Sequence, residues 1–251
     1  MVAAPPQEEE QYRMEFKINS YDAFAAEYAE IVIKREEAGI ERDPIMPQFL
    51  ALLGDVAGLS VLDAGCGEGY LSRILAGRGA NVIGIDLAAN LIQIAQAKDP
   101  EGQIAYQVAD LSQPLPAYRE HFDLIVSHFV LNDVYDYLGF VRTLSAVAKR
   151  GGRLICSLNN PYSFVVRGHI TNYFDSDKAF PYRGMAAEGV RVHFYQRTLG
   201  EYLDAFLSVG FQLQRLIDIS TPEGTFKRQP GILIPEGYHF PFFMILSFIK
   251  P

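Results

Sequence analysis

The stretch SVLDAGCGEGYLSRILAGRGANVIGID, Ser60 to Asp86, carries glycine at three alternate positions, Gly65, Gly67 and Gly69. Val61 and Leu62 ahead of them read as a buried strand, because the run has no helical period and the glycines break it. A helix and a second strand closing on an acid follow, so the stretch predicts a βαβ unit. Glycine lets a backbone come against a ligand with no Cβ in the way, and a helix beginning near Gly69 aims free amides and its positive dipole end at the turn. A ligand with a negative group belongs there; the alternative is a tight strand-to-helix connection that holds nothing.

Spacing narrows the ligand. A dinucleotide fingerprint needs GxGxxG, and its third glycine falls on Tyr70. Asp63, two residues before the first glycine, would repel a diphosphate. A ligand with an ammonium beside a carboxylate suits both the acid and the helix end, and Asp86 at the tip of the next strand suits a ribose diol. Amino acid plus nucleoside describes S-adenosylmethionine. At these residues the chain resembles the class I S-adenosylmethionine-dependent methyltransferases, whose first motif is a DxGxGxG run, matched here by Asp63, Gly65, Gly67 and Gly69 with Asp86 on the second strand.

The 251 residues, 49% of them hydrophobic, suffice for one sizeable α/β domain and not for two. No run approaches the roughly 18 apolar residues of a membrane helix, and the acidic start MVAAPPQEEE is unlike a signal peptide, so a cytoplasmic protein is expected. Cys66 and Cys156 lack metal spacing and read as buried thiols. A net charge of −8 argues against nucleic acid as a partner. Residues 1–148 carry 10 basic and 22 acidic side chains and residues 149–251 carry 12 and 8. Arg167, Arg183, Arg191 and Arg197 in that second part suit an anionic small substrate, or are solvated surface arginines.

Residues 1–18, rich in Pro and Glu, read as a flexible tail, and 19–251 as a single domain. Helical periods over 19–55 predict two leading helices, the second opened by Pro44 and Pro47. The resemblance makes them a lid over the cofactor, with the family's YDxxAxxY pattern met by Tyr21 and Tyr28; two tyrosines on one face also suit simple packing. Leu87–Lys98 reads as a helix and Gln103–Ala109 as the third strand, ending on Asp110 and Leu111. The resemblance implies that this acid and the next amide hold the adenine. Asp63, Asp86 and Asp110 then share one sheet edge, where ligands bind in open α/β folds.

His121–Ser127 reads as the fourth strand, bringing Ser127 and His128 to that edge. Asp136–Lys149 reads as a helix ended by Gly151 and Gly152, and Arg153–Leu158 as the fifth strand. The family commonly has a histidine where this chain has Asn132, so His128 is a different histidine. NNPYS at Asn159–Ser163 is similar to the NPPY motif of base and glutamine methyltransferases, but it follows the fifth strand and theirs the fourth. Residues 159–197 are too long for an ordinary loop and rich in Tyr, Phe, Arg and His, which predicts a substrate cap after strand 5. Tyr195–Phe211 resembles a family helix, with Thr198 as N-cap and Glu201 as its reciprocal partner. Phe211–Ile219 and Phe242–Ile249 read as strands six and seven, the last dense enough in apolar residues for a central position.

The residues alone support a mostly parallel doubly wound α/β sheet. The resemblance implies a Rossmann-like seven-stranded sheet ordered 3214576 with strand 7 antiparallel. It also implies methyl transfer from S-adenosylmethionine, leaving S-adenosylhomocysteine, to a small-molecule acceptor; the histidine, tyrosine and arginine of the cap suit a phenol or acid and so favour a hydroxyl or carboxyl oxygen over an amine. The cofactor residues are then Tyr21, Tyr28, Asp63, Gly65, Gly67, Gly69, Asp86, Leu87, Asp110, Leu111 and Ser127. Candidate catalytic groups are His128, His193 and Tyr195, with no metal and no membrane, in a monomer or homodimer. A nicotinamide oxidoreductase and a non-catalytic cofactor-binding protein are the alternatives.

Overall fold

Apolar residues fill both faces of the central strands, as a parallel sheet covered by helices on each side requires. The structure, a computed structural model, describes residues 20–182, 192–220 and 239–251. The strands are β1 (Ser60–Ala64), β2 (Asn81–Asp86), β3 (Ala105–Val108), β4 (Phe122–His128), β5 (Ala148–Asn159), β6 (Ala179–Tyr182), β7 (Val192–Tyr195), β8 (Gln212–Ile219) and β9 (Phe243–Ile249). Seven of them form one sheet in the order β3-β2-β1-β4-β5-β9-β8, and β6 and β7 pair separately. β1 to β5 run parallel, whereas β9 is antiparallel to both β5 and β8. The expected order 3214576 and the antiparallel seventh strand are therefore what the chain adopts.

The helices are α1 (Ala25–Ala38), α2 (Met46–Leu53), α3 (Tyr70–Gly77), α4 (Ala89–Ala97), α5 (Tyr137–Val147), α6 (Pro161–Val166) and α7 (Leu199–Ser208). Successive strand residues alternate between two cores. Leu62, Ile125, Leu154 and Leu246 pack with Phe140 and Leu144 of α5 and Tyr202 and Phe206 of α7. Val61, Leu124, Ile155 and Ile245 pack with Phe49 of α2, Leu75 of α3 and Ile92 of α4. No described helix is long and apolar enough to cross a membrane.

One boundary departs from expectation in kind. α5 does not stop at Gly151 and Gly152; it ends at Val147 and Ala148 turns directly into β5, with φ −69° and ψ 135°. The two glycines instead lie within β5, where the pairing of β4 with β5 is irregular between Phe122 and Leu124. Gly151 has φ +76° and donates its N–H to Lys250 O at 2.6 Å, and a Cβ on Gly152 would lie 2.8 Å from Lys149 O. They are bulge residues rather than a helix stop. The expected box at α7 is present, since Thr198 accepts from the Glu201 amide and Glu201 from the Thr198 amide.

After β5, Asn160 caps α6 by accepting from Tyr162 N at 3.0 Å, and the β6–β7 hairpin follows. Phe164, Phe180 and Phe194 of this insertion pack with Phe24 ahead of α1, making a small aromatic core away from the sheet. The tail 1–18, Arg183, Arg191 and the loop through Pro222 and Gly231 lie outside the described residues.

Candidate active site

The strand order reverses between β1 and β4, so a crevice opens beyond their carboxyl ends. The glycine turn lies there, at the end of β1. Gly65, Gly67 and Gly69 have φ of +82°, +55° and +85°. A Cβ on Gly65 would meet Val130 methyls at 2.4 and 2.8 Å, and one on Gly69 would meet the Tyr106 hydroxyl at 2.4 Å. The Tyr28 ring lies in ordinary contact distance of Gly67, so α1 covers the turn. Tyr21, on the short 3₁₀ turn Ser20–Phe24, packs edge-on against Tyr28 at 5.3 Å between ring centres.

Four carboxyl groups lie in or around the turn. Asp63 is 1% exposed and accepts from Ser72 Oγ at 2.6 Å. Burial, with Asp86 and Glu68 adding and Ser72 opposing, pushes its pKa up to about 7. Asp86 accepts from Gly67 N and from Ala88 N, both at 2.8 Å, which is why α4 begins at Ala89 and not at Leu87. Burial raises it despite those amides. Asp133, which the sequence reading passed over, accepts from the Tyr21 hydroxyl at 3.0 Å, and its Oδ1 is buried with no partner among the described residues. Burial drives it well above the usual carboxylate range, with Asp86 adding. Glu68, also buried in the turn, is held by Arg73 and Lys98, and Arg73 reaches on to Glu36 of α1 at 2.6 Å.

Uncompensated buried carboxyls favour the neutral form, and a cation among them reverses that. The folded pKa of Asp63 exceeds the ordinary carboxylate value of about 4, so its favourable contribution is complete below that pH and is lost as pH rises toward 7. Asp63→Asn is expected to flatten the stability–pH curve between pH 4.5 and 8, where this one group contributes a slope of at most about 1.4 kcal/mol per unit. Urea melts across that range test it; an unaltered slope would mean that Asp63 is ionised throughout.

The remaining sequence candidates divide. Ser127 is buried at the end of β4, its Oγ without a partner among the described residues. Asp110 is exposed and holds the Ser112 amide at 2.8 Å, Leu111 is buried and Leu87 is exposed, all at the same sheet edge. His128 shares a 2.6 Å hydrogen bond between Nδ1 and Ser157 Oγ, and its ring meets Phe49 and Phe129. Burial pushes its pKa down to about 4, so the imidazole is neutral near pH 7. Asn132, at the family histidine position, joins β5 to α7: its Oδ1 accepts from Asn159 N at 2.9 Å and its amide donates to the Tyr202 hydroxyl at 3.3 Å.

A cavity of ≈300 Å³ lies beside the turn, lined among others by Tyr21, Arg35, Arg42, Phe129, Asn159, Phe194 and Phe243. Tyr21 belongs to both spaces. Phe129 has φ +58°, a conformation that costs a bulky side chain on the order of 1–3 kcal/mol. Its N–H donates to Ser157 O at 2.9 Å, and its ring meets Phe243 at 5.2 Å between centres. Phe194 faces the cavity, so strand alternation directs its neighbours His193 and Tyr195 to the other face of β7. Tyr195 is buried there against Tyr135 and Arg197. Arg197 is not a surface cation: it is 1% exposed and donates to Asp177, Leu131 O and Tyr135 O. The arginines on the cavity come from α1 and the loop after it, in the half of the chain with the acidic surplus.

Residues 62–156 match a protein family described as a methyltransferase domain. A ubiquinone biosynthesis O-methyltransferase of Methylobacterium sp. (strain 4-46) is 37% identical over 120 residues, 47% of this chain and 46% of that protein. A demethylmenaquinone methyltransferase of Tropheryma whipplei (strain Twist) is 37% identical over 116 residues, 45% of this chain and 48% of that protein. The chain spans about half the length of these curated relatives. The crystal structure of an S-adenosylmethionine dependent methyltransferase from Mesorhizobium loti is similar with a TM-score of 0.64 at 26% identity, over 84% of this chain and 100% of that one. The seven-stranded sheet described above is this Rossmann-like fold.

Proposed function

We propose, with residues 62–156 taken as a methyltransferase domain, that the protein transfers a methyl group from S-adenosylmethionine to an oxygen of a small-molecule acceptor, leaving S-adenosylhomocysteine. The observation that carries this reading is the set of carboxyls, Asp63 buried and Asp86 and Asp133 half-buried, all raised by desolvation, around a turn whose three glycines have left-handed backbones. A ligand with an ammonium and a sulfonium supplies the positive charge these groups lack, and its carboxylate suits the amides at the start of α3.

In this reading Asp86 holds the ribose hydroxyls, Asp110 and the Leu111 amide hold the adenine, and Leu87 covers the ring. Asp63, Ser127 and the glycine turn hold the methionine part beneath Tyr21 and Tyr28. When bound, the cofactor supplies a methyl on a sulfonium, already activated toward an acceptor lone pair. The chain's own work is alignment, exclusion of water by the lid and care of the acceptor proton. Neutral His128 and the Asp133–Tyr21 pair are the groups for that proton; His193 and Tyr195 support the cap wall behind Phe194. Two buried free thiols, Cys66 and Cys156, suit a reducing compartment such as the cytoplasm.

A melting-temperature comparison tests the cofactor assignment: S-adenosylmethionine and S-adenosylhomocysteine are expected to raise the midpoint and NAD to leave it in place. Stabilisation by NAD alone would replace this reading with a dehydrogenase. If His128→Ala keeps full turnover at saturating acceptor from pH 6 to 9, His128 has no part in the proton transfer.

A further inference from the structure

Ser157 of β5 and His128 of β4 are partners in the sheet, and directly opposed residues of neighbouring strands point the same way from it. Their side chains meet in the 2.6 Å hydrogen bond between Ser157 Oγ and His128 Nδ1. On its other flank Ser157 is paired with Ile245 of β9, and Ile155 stands two residues before it on the same face of β5. Both isoleucines are wholly buried, and Ser157 is 1% exposed. Asn159, two residues further on, takes no proton from the serine, since its Oδ1 has no partner among the described residues. Among those residues His128 Nδ1 is the one hydrogen-bond partner of Ser157 Oγ.

A hydroxyl has a single proton to place, and a neutral imidazole has one N–H and one bare nitrogen. If Nδ1 carried the proton, it would donate to Ser157 Oγ, and the serine's own proton would be left among buried isoleucines with nothing to accept it. If Nδ1 is bare, it accepts that proton, and the imidazole proton sits on Nε2. The first arrangement strands a buried donor and the second strands none, a difference on the order of tenfold or more in population. The hydrogen bond at one ring nitrogen thus settles the state of the other. Nε2 has no hydrogen-bond partner among the described residues, and the ring is only half-buried, so Nε2 is the nitrogen left for a guest or for water. The ring packs on Phe129, which lines the ≈300 Å³ cavity.

We propose that Ser157 is a positioning residue: it holds His128 in the Nε2–H form, so that the imidazole presents a donor for an oxygen and not a lone pair for a proton. What this means for the acceptor rests on the methyltransferase reading; the tautomer does not. On that reading the Nε2–H suits an acceptor with a carbonyl or an ionised oxygen, which it orients, and it leaves the removal of a hydroxyl proton to the other groups of the site. Ser157 touches neither partner in the reaction and acts through His128.

Long-range proton–nitrogen correlation spectra of the full chain, labelled with ¹⁵N and held near neutral pH, test this without turnover, because they tell the protonated nitrogen from the bare one in each imidazole. The chain has 5 histidines, and the signals lost in His128→Gln identify the one in question. His128 is expected to carry its proton on Nε2, with the other tautomer below about a tenth of the population. Ser157→Ala is expected to shift the Nδ1 resonance toward that of an unbonded bare nitrogen, and Ser157→Thr, which keeps the hydroxyl, to restore it. A proton on Nδ1 in the wild type, or an Nδ1 resonance that Ser157→Ala leaves in place, would overturn the proposal; the first outcome decides even if the Ser157 variants fail to fold. S-adenosylmethionine titrated into the wild-type sample scores the methyltransferase reading separately. If it fails to bind while His128 shows the Nε2–H form, that reading falls and the role of Ser157 stands.

Discussion

Gly65→Ala is expected to lower the melting temperature by roughly 5–15 °C and to abolish measurable cofactor binding. The residue has φ +82°, and an alanine there costs about 1–2 kcal/mol in backbone energy alone. Its Cβ would lie 2.4 Å from one Val130 methyl and 2.8 Å from the other. Valine is branched at Cβ and cannot swing one methyl aside independently, so the segment after β4 must move as a unit, adding roughly 1–3 kcal/mol of overpacking. The sum, about 2–5 kcal/mol, corresponds to the stated shift at roughly 2–4 °C per kcal/mol for a chain of this size. Gly77→Ala is the control: its backbone is helical and nothing lies within 4 Å of its Cβ position, so the effect is neutral or favourable by up to about 1 kcal/mol. Calorimetric melts of both variants check this, and a Gly65→Ala protein that melts with the wild type would show that the turn tolerates a side chain.

Arg197→Met is the other large effect, with an expected loss of about 3–5 kcal/mol. The guanidinium donates to the carbonyls of Leu131 at 3.1 Å and Tyr135 at 2.9 Å, and lies over Tyr137 at 4.2 Å and Tyr195 at 5.1 Å. Asp177, its carboxylate partner, is 68% exposed and returns to water when released, so that pair adds little. The penalty comes from buried carbonyls left without donors. Lysine keeps the charge but not the planar fork, so Arg197→Lys should fall between wild type and Arg197→Met. Denaturant melts give the loss, and hydrogen exchange should quicken across residues 131–135 in both variants. An Arg197→Met protein within 1 kcal/mol of wild type, on the order of one ordinary hydrogen bond, would contradict the anchoring role.

The same arginine marks a limit of sequence reading. Four arginines in the second half suggested a binding face, yet Arg197 is the most deeply buried cation described and Arg167 lies over Phe242 at 4.3 Å. Charge counted along a chain says nothing about which side chains the fold turns inward. The glycine turn was legible because its three alternate glycines take left-handed backbones that other residues adopt at a cost, and at Gly65 and Gly69 a side chain would also clash. The sheet order was legible only through resemblance, since local patterns define strands and not their neighbours. Asp133 is not legible in the sequence because its hydrogen-bond partner, Tyr21, lies 112 residues away. The Gly151–Gly152 pair was misread because a bulge and a helix stop ask for the same residue, and the backbone of Lys250 decides between them.

The position of β9 bears on how the protein is made. It follows every other described strand in sequence yet lies between β5 and β8, and among the described residues β8 has no other neighbour in the sheet. Until residues 243–249 have left the ribosome, β8 has no ladder to join and β5 presents an unpaired, apolar edge. The first five strands can assemble during synthesis, but closure must wait for the last one, and the nascent chain spends that interval with an edge open to other chains.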